Sequence, residues 1–314
     1  MNLFRDLNQL PDSFCHGAVS IGNFDGVHLG HARIIRLLAQ LARQVGGPAV
    51  VFTFDPHPAT ILHPERAPTP LTWTERKAQL LTELGADAVL ACPTDRAFLQ
   101  LEARQFFDRM IRQQLDARAM VEGENFFFGH DRSGNIDVLQ RFCAEASIAV
   151  EVVKPVQIGH LNVSSSRIRS LIAAGDVEQA QVMLGRPYRI RGEVIRGAGR
   201  GRSLGFPTAN LGRVDTLLPA QGIYAGQFQA GATFWPAAVS VGPNPTFAEA
   251  ELKIEAYLIG FDGDLYGQTV ELDFLAWLRD IKTFGSVGQL TAQMDRDVAS
   301  ACEIFQRDRA ARKP

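Results

Sequence analysis

The chain has 314 residues, of which 46% are hydrophobic and 21% are charged, and its formal net charge is −2. This composition is typical of a globular protein of about two domains, and it excludes a disordered or fibrous chain. A nearly neutral chain has no overall attraction to nucleic acid or to an anionic membrane, so we expect small molecules as its partners.

The amino terminus and the cysteines indicate the cellular compartment. Residues 1–7 contain charges where a signal peptide needs an apolar core, and no stretch reaches the roughly 20 apolar residues of a membrane span. The four cysteines are scattered without a Cys-x-x-Cys pair, so neither a zinc site nor a disulfide framework is predicted. We therefore expect a cytoplasmic protein with reduced thiols, and the sequence leaves its oligomeric state open.

Short β-branched runs alternate with helical patterns from residue 17 to about residue 186. This alternation predicts a parallel sheet wrapped by helices, with ligands bound beyond the carboxyl ends of its strands. The predicted strands are 18–24, 49–54, 86–92, 119–122 and 148–153, and the predicted helices are 31–43, 74–84, 102–115 and 135–146.

A different pattern begins in the second half of the chain. Two short predicted helices, 166–174 and 177–183, end at Gly185-Arg186-Pro187, which predicts domains over 1–186 and 187–314. Beyond this point the strands come without helices between them, which is typical of a small antiparallel barrel. The predicted elements there are strands over 188–195, 222–229, 237–241, 253–259 and 268–274, then a helix over 287–307.

The first candidate site is the glycine-rich turn between the first predicted strand and its helix. It reads Gly22-Asn23-Phe24-Asp25-Gly26-Val27-His28-Leu29-Gly30-His31. His28 and His31 fall on one face of the first helical turn, where free N–H groups and the positive end of the helix dipole favour phosphate. An isolated His-x-x-His is more often a surface or core pair, but the glycine-rich prefix favours a binding site.

The second candidate site is Leu204-Gly205-Phe206-Pro207-Thr208-Ala209-Asn210. It follows a turn rich in glycine and arginine, whose backbone could approach phosphates closely. The Thr208 hydroxyl and the Asn210 carboxamide flank one small residue, an arrangement that could hold Mg²⁺ on a nucleotide. A tight β-turn capped by the threonine is the alternative interpretation.

Five motifs in chain order resemble those of the bacterial bifunctional riboflavin kinase/FAD synthetase family, over nearly the whole chain. The resemblance implies a Rossmann-like adenylyltransferase of the His-x-Gly-His type, followed by a flavokinase barrel with a carboxyl-terminal helix. It implies phosphorylation of riboflavin to FMN and adenylylation of FMN to FAD, with ATP and Mg²⁺ at both steps. The motifs are residues 22–31, Phe54-Asp55-Pro56-His57-Pro58, Ser164-Ser165-Ser166-Arg167-Ile168-Arg169, residues 205–210, and Asp262-Gly263-Asp264-Leu265-Tyr266-Gly267.

In the first half, the resemblance implies that His28 and His31 stabilise the charge that develops at the α-phosphate. Asn125 falls at the flavin site, where the family often carries Asp, and Phe127 stands where a basic residue is common. Helix capping explains the serines at 164–166 equally well, and a capped turn explains His57. The residues implied to bind ATP and phosphate are Gly22, Asn23, Phe24, Asp25, Gly26, Gly30, Ser164, Ser165, Ser166 and Arg169.

In the second half, the resemblance implies that Glu255 is the general base, although a strand-surface glutamate is ordinarily a solvated charge. Thr208 and Asn210 are implied to meet Mg²⁺. Arg279 and Phe284 are implied to contact the flavin, and an ordinary exposed arginine is the alternative for Arg279. The residues implied to bind ATP are Gly197, Gly199, Arg200, Gly205 and Pro207.

Two other functions remain open from the residues alone. The changes at Asn125 and Phe127 could leave only the kinase active. A flavin-binding sensor without turnover is a third possibility, but binding alone would not require the base Glu255.

Overall fold

The computed structural model describes residues 1–197, 199–231, 233–243 and 252–312, apart from the side chains of residues 200 and 203. The chain divides into two compact units, Met1–Ser165 and Ser166–Pro314. Within the described part of the chain, no helix is both long and apolar enough to cross a membrane.

The first unit is built on a parallel sheet. Its strands are β1 (Leu3–Phe4), β2 (Ala18–Ile21), β3 (Ala49–Asp55), β4 (Ala88–Pro93), β5 (Ala119–Gly123) and β6 (Ala149–Val153), with a separate hairpin of β7 (Gln157–Ile158) and β8 (Leu161–Asn162). The six strands of the main sheet lie in the order β1-β4-β3-β2-β5-β6. The order therefore reverses between β2 and β5.

Helices cover both faces of this sheet. They are α1 (Leu29–Val45), α2 (Pro58–Leu62), α3 (Thr74–Glu83), α4 (Arg96–Leu99), α5 (Ala103–Phe106) and α6 (Ile136–Glu145). Strand residues point alternately into two buried clusters, so Val19 and Ile21 join one cluster and Ala18 joins the other. Since both faces are covered, the central strands β2, β3 and β4 are almost continuously buried and mostly apolar, as is typical of parallel sheets.

The second unit contains a closed antiparallel barrel. Its strands are β9 (Tyr188–Ile195), β10 (Thr208–Gly212), β11 (Gly222–Ala230), β12 (Thr233–Gly242), β13 (Lys253–Leu258) and β14 (Thr269–Arg279). They close in the order β10-β13-β12-β11-β14-β9. The helices are α7 (Ser165–Ala173), which begins at the unit boundary, α8 (Val177–Leu184), α9 (Arg200–Ser203) and α10 (Val287–Ala311).

This architecture confirms the predicted fold class, with three local corrections. The first predicted strand ends at Ile21, because Phe24 adopts a left-handed backbone with φ of 47°. The single helix predicted over 102–115 is α5 followed by a π-helical segment, Phe107–Gln114. Strand β10 was not predicted, since Thr-Ala-Asn-Leu-Gly lacks the apolar alternation of a strand.

Helices α7 and α8 pack with the barrel. The Ala220 N–H donates to the Ile172 carbonyl at 3.2 Å, and a side chain at Gly175 would lie only 2.4 Å from the Trp277 ring. Met183 and Leu184 of α8 are buried. The contacts therefore divide the chain at residue 165, before the boundary predicted at 186, which stays a prediction.

Candidate active sites in the two domains

The phosphate-type loop, residues 22–28, leaves the carboxyl end of β2 at the point where the strand order reverses. Open parallel sheets bind their ligands at such reversal points. Phe24, Gly26 and Val27 all have positive φ, at 47°, 80° and 40°. A loop with this many left-handed residues needs firm anchors, because each such non-glycine residue is strained.

Asp25 supplies the main anchor of the loop. Its carboxylate is 6% exposed and accepts N–H bonds from Leu71 at 3.0 Å and Thr72 at 3.2 Å. The Gly26 N–H donates to the Thr72 hydroxyl at 2.9 Å, and the Ser165 hydroxyl donates to the Asp25 carbonyl at 2.8 Å. The structure therefore places Asp25 and Ser165, both predicted phosphate ligands, as supports of the loop.

The two histidines lie together, as the spacing predicts. Their rings stack with centroids 3.6 Å apart, and the His28 Nδ1 accepts the His31 N–H at 3.3 Å as the cap of α1. Because Nδ1 accepts, the neutral ring of His28 carries its proton on Nε2 and can donate there. A side chain at Gly30 would lie 3.0 Å from the His28 ring, so glycine permits this ring position.

Asn23 offers an acceptor to a ligand. Its Oδ1 is buried and has no hydrogen-bond partner within the described part of the chain. Its neighbour Gly22 is fixed, because the Gly22 N–H donates to the Phe52 carbonyl at 3.0 Å. A buried polar atom without a partner is costly unless something binds it, which fits the predicted role of Asn23 in ligand binding.

The end of β3 carries a polar cluster. Asp55 accepts bonds from the Thr74 hydroxyl at 2.9 Å and from the Arg5 guanidinium at 3.0 Å. His57 caps α2, accepting the Ala59 N–H at 3.1 Å, which is the capped turn offered as its alternative.

Two buried charged residues of the first unit were missed by the sequence reasoning. Burial lowers the pKa of Lys77 in α3, and the carboxylates of Asp25 and Asp55 oppose that shift. Burial raises the pKa of Glu122 in β5 well above its ordinary value. The only sequence signal for Glu122 is a charge inside an otherwise apolar strand, which is also typical of a surface strand.

The predicted flavin residue Asn125 lies in an exposed turn after β5. Nearby, Phe127 is 45% exposed, and the Arg132 guanidinium lies 4.2 Å from its ring centroid. Ser166 and Arg169 lie further along α7, within the second unit, where the Ser166 carbonyl accepts the Ser170 hydroxyl at 3.2 Å.

In the barrel, strand register joins two of the predicted residues. Asn210 of β10 pairs directly with Glu255 of β13, and Thr208 pairs with Tyr257. Side chains directly opposite in an antiparallel pair have Cβ atoms about 4.5–5.5 Å apart. Since Ala256 is buried inside the barrel, the neighbouring Glu255 points to the outer face, beside Asn210.

The loop that contains Gly197, Gly199 and Gly201 fits tightly against β10. A side chain at Gly197 would lie 2.3 Å from the Asn210 amide nitrogen, and one at Gly201 would lie 2.3 Å from the Phe206 carbonyl. Gly199 and Gly205 have φ of 71° and 88°, which favours glycine. The glycines therefore bring the loop backbone against Asn210 and the segment that leads into β10.

A cavity of about 620 Å³ opens beside the loop. Pro207 and Thr208 line it, but Asn210 and Glu255 are not among its lining residues. Its charged and aromatic lining residues are Arg196, Arg202, Asp262, Asp264, Phe261 and Tyr266. The guanidinium groups can meet phosphate oxygens and the aromatic rings can stack on a planar ring, while Asp262 and Asp264 balance the charge of the lining.

Arg279 is held inside the second unit. Its Nε and Nη2 donate to the Asp297 carboxylate at 3.0 and 2.7 Å, and its side chain is only 14% exposed. Gln293 donates to the same carboxylate at 2.8 Å, and the guanidinium lies 5.7 Å from the Phe284 ring centroid. The alternative of an ordinary exposed arginine is therefore wrong, and Arg279 ties α10 to β14.

A parallel sheet with a phosphate-type loop at its reversal point, followed by a barrel with a glycine-rich loop over one strand, defines a two-domain protein of the nucleotide-using transferase class. Residues 11–167 match the FAD synthetase family, and residues 184–305 match the riboflavin kinase family. The chain therefore belongs to the bifunctional riboflavin kinase/FMN adenylyltransferase family, with a FAD synthetase domain before a flavokinase domain, as the five motifs predicted.

Relatives with both domains span almost the whole chain. The bifunctional riboflavin kinase/FMN adenylyltransferase of Pseudomonas fluorescens is 35% identical over 96% of this chain and 97% of its own. The Escherichia coli (strain K12) protein of the same name is 32% identical over 97% and 98%. A crystal structure described as a macrolide-efflux protein from Streptococcus pneumoniae superposes with a TM-score of 0.84 and 31% identity, covering 94% of this chain and 96% of that one.

Proposed function

We propose that this chain phosphorylates riboflavin to FMN in its second domain and adenylylates FMN to FAD in its first, using ATP in both reactions. The observation that carries the proposal is the presence of both site geometries in one chain of this family. The stacked pair of His28 and His31 serves one reaction, and the register pair of Asn210 and Glu255 serves the other.

In the kinase reaction, Glu255 accepts the proton of the riboflavin primary hydroxyl as its oxygen attacks the γ-phosphorus of ATP, and ADP leaves. Asn210 lies opposite Glu255 in the strand register, so the base is close to the group that orients the nucleotide. We propose that the loop backbone at Gly197, Gly199 and Gly201 packs over the phosphates, since glycine lets it approach closely.

Thr208 and Asn210 would hold Mg²⁺. A hydroxyl and a carboxamide oxygen suit this hard cation, which ordinarily takes one or two protein ligands together with substrate phosphates and water. When bound, the cation supplies positive charge against the β- and γ-phosphates. Residues around Thr208 supply the remaining positive charge. Arg196 and Arg202 line the same cavity as Thr208.

In the adenylyltransferase reaction, a phosphate oxygen of FMN attacks the α-phosphorus of ATP, and pyrophosphate leaves. No covalent enzyme intermediate is needed, so the residues act by positioning and by stabilising charge. The His28 Nε2–H and the His31 ring face this charge, and Asn23 and the loop glycines hold the phosphates. Ser164, Ser166 and Arg169 stay predicted phosphate ligands.

For the flavin, we retain Asn125 in the first domain and Phe284 in the second. Arg279 already binds Asp297, so we assign its contribution to holding α10 and the Phe284 ring in place. We also place the protein in the cytoplasm, where its cysteines, all free, stay reduced.

One incubation tests the proposal. The purified chain is mixed with riboflavin, ATP and Mg²⁺, and the flavins are then separated by chromatography. Formation of FMN followed by FAD is the expected result. FMN alone would restrict the protein to the kinase reaction, and unchanged riboflavin would indicate a flavin-binding protein without turnover.

The domain boundary has its own test. We propose that the kinase domain is an independent folding unit, and we compare fragments that begin at residues 166 and 187. Both should phosphorylate riboflavin, but the shorter one loses α7 and α8, so it should melt at a lower temperature. An unfolded longer fragment would show that the barrel needs the first domain.

A further inference from the structure

Strands β2 and β5 separate just before the phosphate-type loop. Their parallel pairing includes Ala18 with Ala119 and Val19 with Met120, and it ends there. On its other side β2 stays paired with β3 as far as Ile21. The two strands that flank the reversal point therefore diverge at their carboxyl ends.

Where β2 and β5 diverge, a side chain takes the place of the backbone hydrogen bonds between the two strands. The N–H groups of Ala18 and Gly22 both donate toward β3, at 2.9 and 3.0 Å, so by alternation the Ile21 N–H faces β5. There it donates to the Oε1 of Glu122 at 2.6 Å. Glu122 thus bridges the two strands through a side chain that is longer than a ladder bond.

Filling this space with a carboxyl group costs free energy. Glu122 is 2% exposed, and burying a carboxyl group costs several kcal/mol that an apolar side chain of similar size would not. Burial raises the pKa of Glu122, and the Ile21 N–H opposes this shift, so burial favours the neutral acid. A neutral acid keeps one acceptor for the Ile21 N–H.

Ile21, whose N–H is bonded to Glu122, is the last residue before the loop. Asp25 and Gly26 are tied to Thr72, and Ser165 holds the Asp25 carbonyl, so the middle of the loop is fixed by the segment just before α3 and by Ser165. The start of the loop is tied to β5 by the bond from the Ile21 N–H to Glu122. Asn23 follows two residues after Ile21, so the end of β2 that carries Asn23 is held by Phe52 of β3 on one side and by Glu122 on the other.

We infer that Glu122 is a positioning residue for the adenylyltransferase reaction, which fixes the separation of β2 and β5 and thereby the placement of Asn23 and His28. The inference rests on the proposed function of the first domain. Glu122 touches neither substrate, and it acts through the Ile21 backbone. Loss of its acceptor should therefore misplace groups that act in the transition state while leaving most ground-state binding intact.

The test uses Glu122→Leu and Glu122→Met, which fill the volume without an acceptor, and Glu122→Gln, which keeps Oε1. We expect either apolar variant to lower kcat for FAD formation from FMN about 10- to 100-fold, since small misplacements have effects of this size. The KM values for ATP and FMN should change little. Glu122→Gln should restore kcat to within about threefold of wild type, because it keeps the bond to the Ile21 N–H.

Two internal controls separate positioning from stability. Circular dichroism reports that each variant is folded, and the kinase reaction of the same chain should be unchanged in every variant, which confines the loss to the first domain. Val121→Ala, also buried in β5, should lower the melting temperature without a comparable fall in kcat.

Three results would overturn the inference. The first is normal FAD formation by a folded Glu122→Leu or Glu122→Met protein. The second is a Glu122→Gln protein as impaired as the apolar variants, and the third is an equal loss of kcat in Val121→Ala. A wild-type chain that made FMN but no FAD would instead refute the proposed function of the first domain, and this inference with it.

Discussion

The two domains build their sites on different parts of their strands. The first domain places its groups on loops beyond the ends of parallel strands, and the second places Thr208, Asn210 and Glu255 on the outer face of two antiparallel strands. A site on the face of a sheet is determined by strand register, because directly opposite side chains are neighbours whatever conformation the adjoining loops adopt. A strand-end site is set by the anchors of its loop, which lie far away in the sequence.

The two glutamates show the same difference. Glu255 points outward on β13, where a substrate can reach it, whereas Glu122 is buried in β5 and accepts a bond from a backbone N–H. Both glutamates lie in short runs of sequence that form β-strands. Exposure separates a group suited to proton transfer from one suited to structural support.

The largest expected effect comes from Glu255→Gln. This change keeps size and hydrogen bonding but cannot accept the riboflavin proton, so the kinase rate should fall about 10²- to 10⁴-fold. FAD formation from supplied FMN should continue, and both rates are measured by flavin chromatography. Glu193→Gln, on the neighbouring strand β9, is the matched control and should change the kinase rate little. Near-normal FMN production by Glu255→Gln at saturating substrates would leave Glu255 as an ordinary surface carboxylate.

The second effect concerns the strand-end site. His28→Ala or His31→Ala should reduce FAD formation from FMN about 10²- to 10³-fold, the usual loss for one donor that stabilises transition-state charge. FMN formation from riboflavin should stay nearly intact, because the motifs belong to different domains. His160→Ala, in the exposed β7–β8 hairpin, serves as the control. If both reactions fell together in a folded protein, the separation of the two sites would be refuted.

A smaller effect is expected for Thr208→Ala, which removes the oxygen that we propose meets the cation and the phosphates. Loss of a hydrogen bond to a charged group should raise the KM for ATP about 10- to 100-fold. The effect on kcat at saturating ATP should be smaller than that of Glu255→Gln. Steady-state kinetics at fixed riboflavin measure both values. An unchanged KM, equal to that of the exposed control Thr269→Ala, would remove Thr208 from the nucleotide site.

The smallest effect is on stability and tests the buried carboxyl. Because the folded pKa of Glu122 is raised, the unfolded chain loses this proton first, and stability falls as pH rises above about 4.3, by up to about 1.4 kcal/mol per pH unit. Cys143, the titratable group beside it, has a pKa raised to about 12 and stays neutral over this range. Glu122→Gln has no such proton, so its advantage in the free energy of unfolding should grow from pH 5 to pH 7. Denaturant curves at the two pH values measure this difference, and a constant difference would contradict a neutral buried Glu122.

Several features could be predicted from the sequence because they depend on local periodicity. Alternating strands and helices predicted the parallel sheet, and the apolar residues Ile35, Leu38 and Leu41, spaced three apart in α1, are buried. The spacing of His28 and His31 placed both rings on one turn of a helix, where they stack. The fold class followed from such short-range patterns, and both domain families followed from the resemblance of five motifs to a known family.

Other features depend on contacts between distant residues, and only the tertiary structure decided them. Strand β10 forms because β9 and β13 pair with it on both sides, although its own residues lack a strand pattern. The residue Asp25 reads as part of a phosphate motif but accepts the N–H of Thr72, 47 residues away. Arg279 pairs with Asp297, and Glu122 bridges β5 to Ile21, 101 residues earlier. A sequence states which side chains carry charge, but the pairing of strands determines whether that charge meets water, a backbone N–H or a substrate.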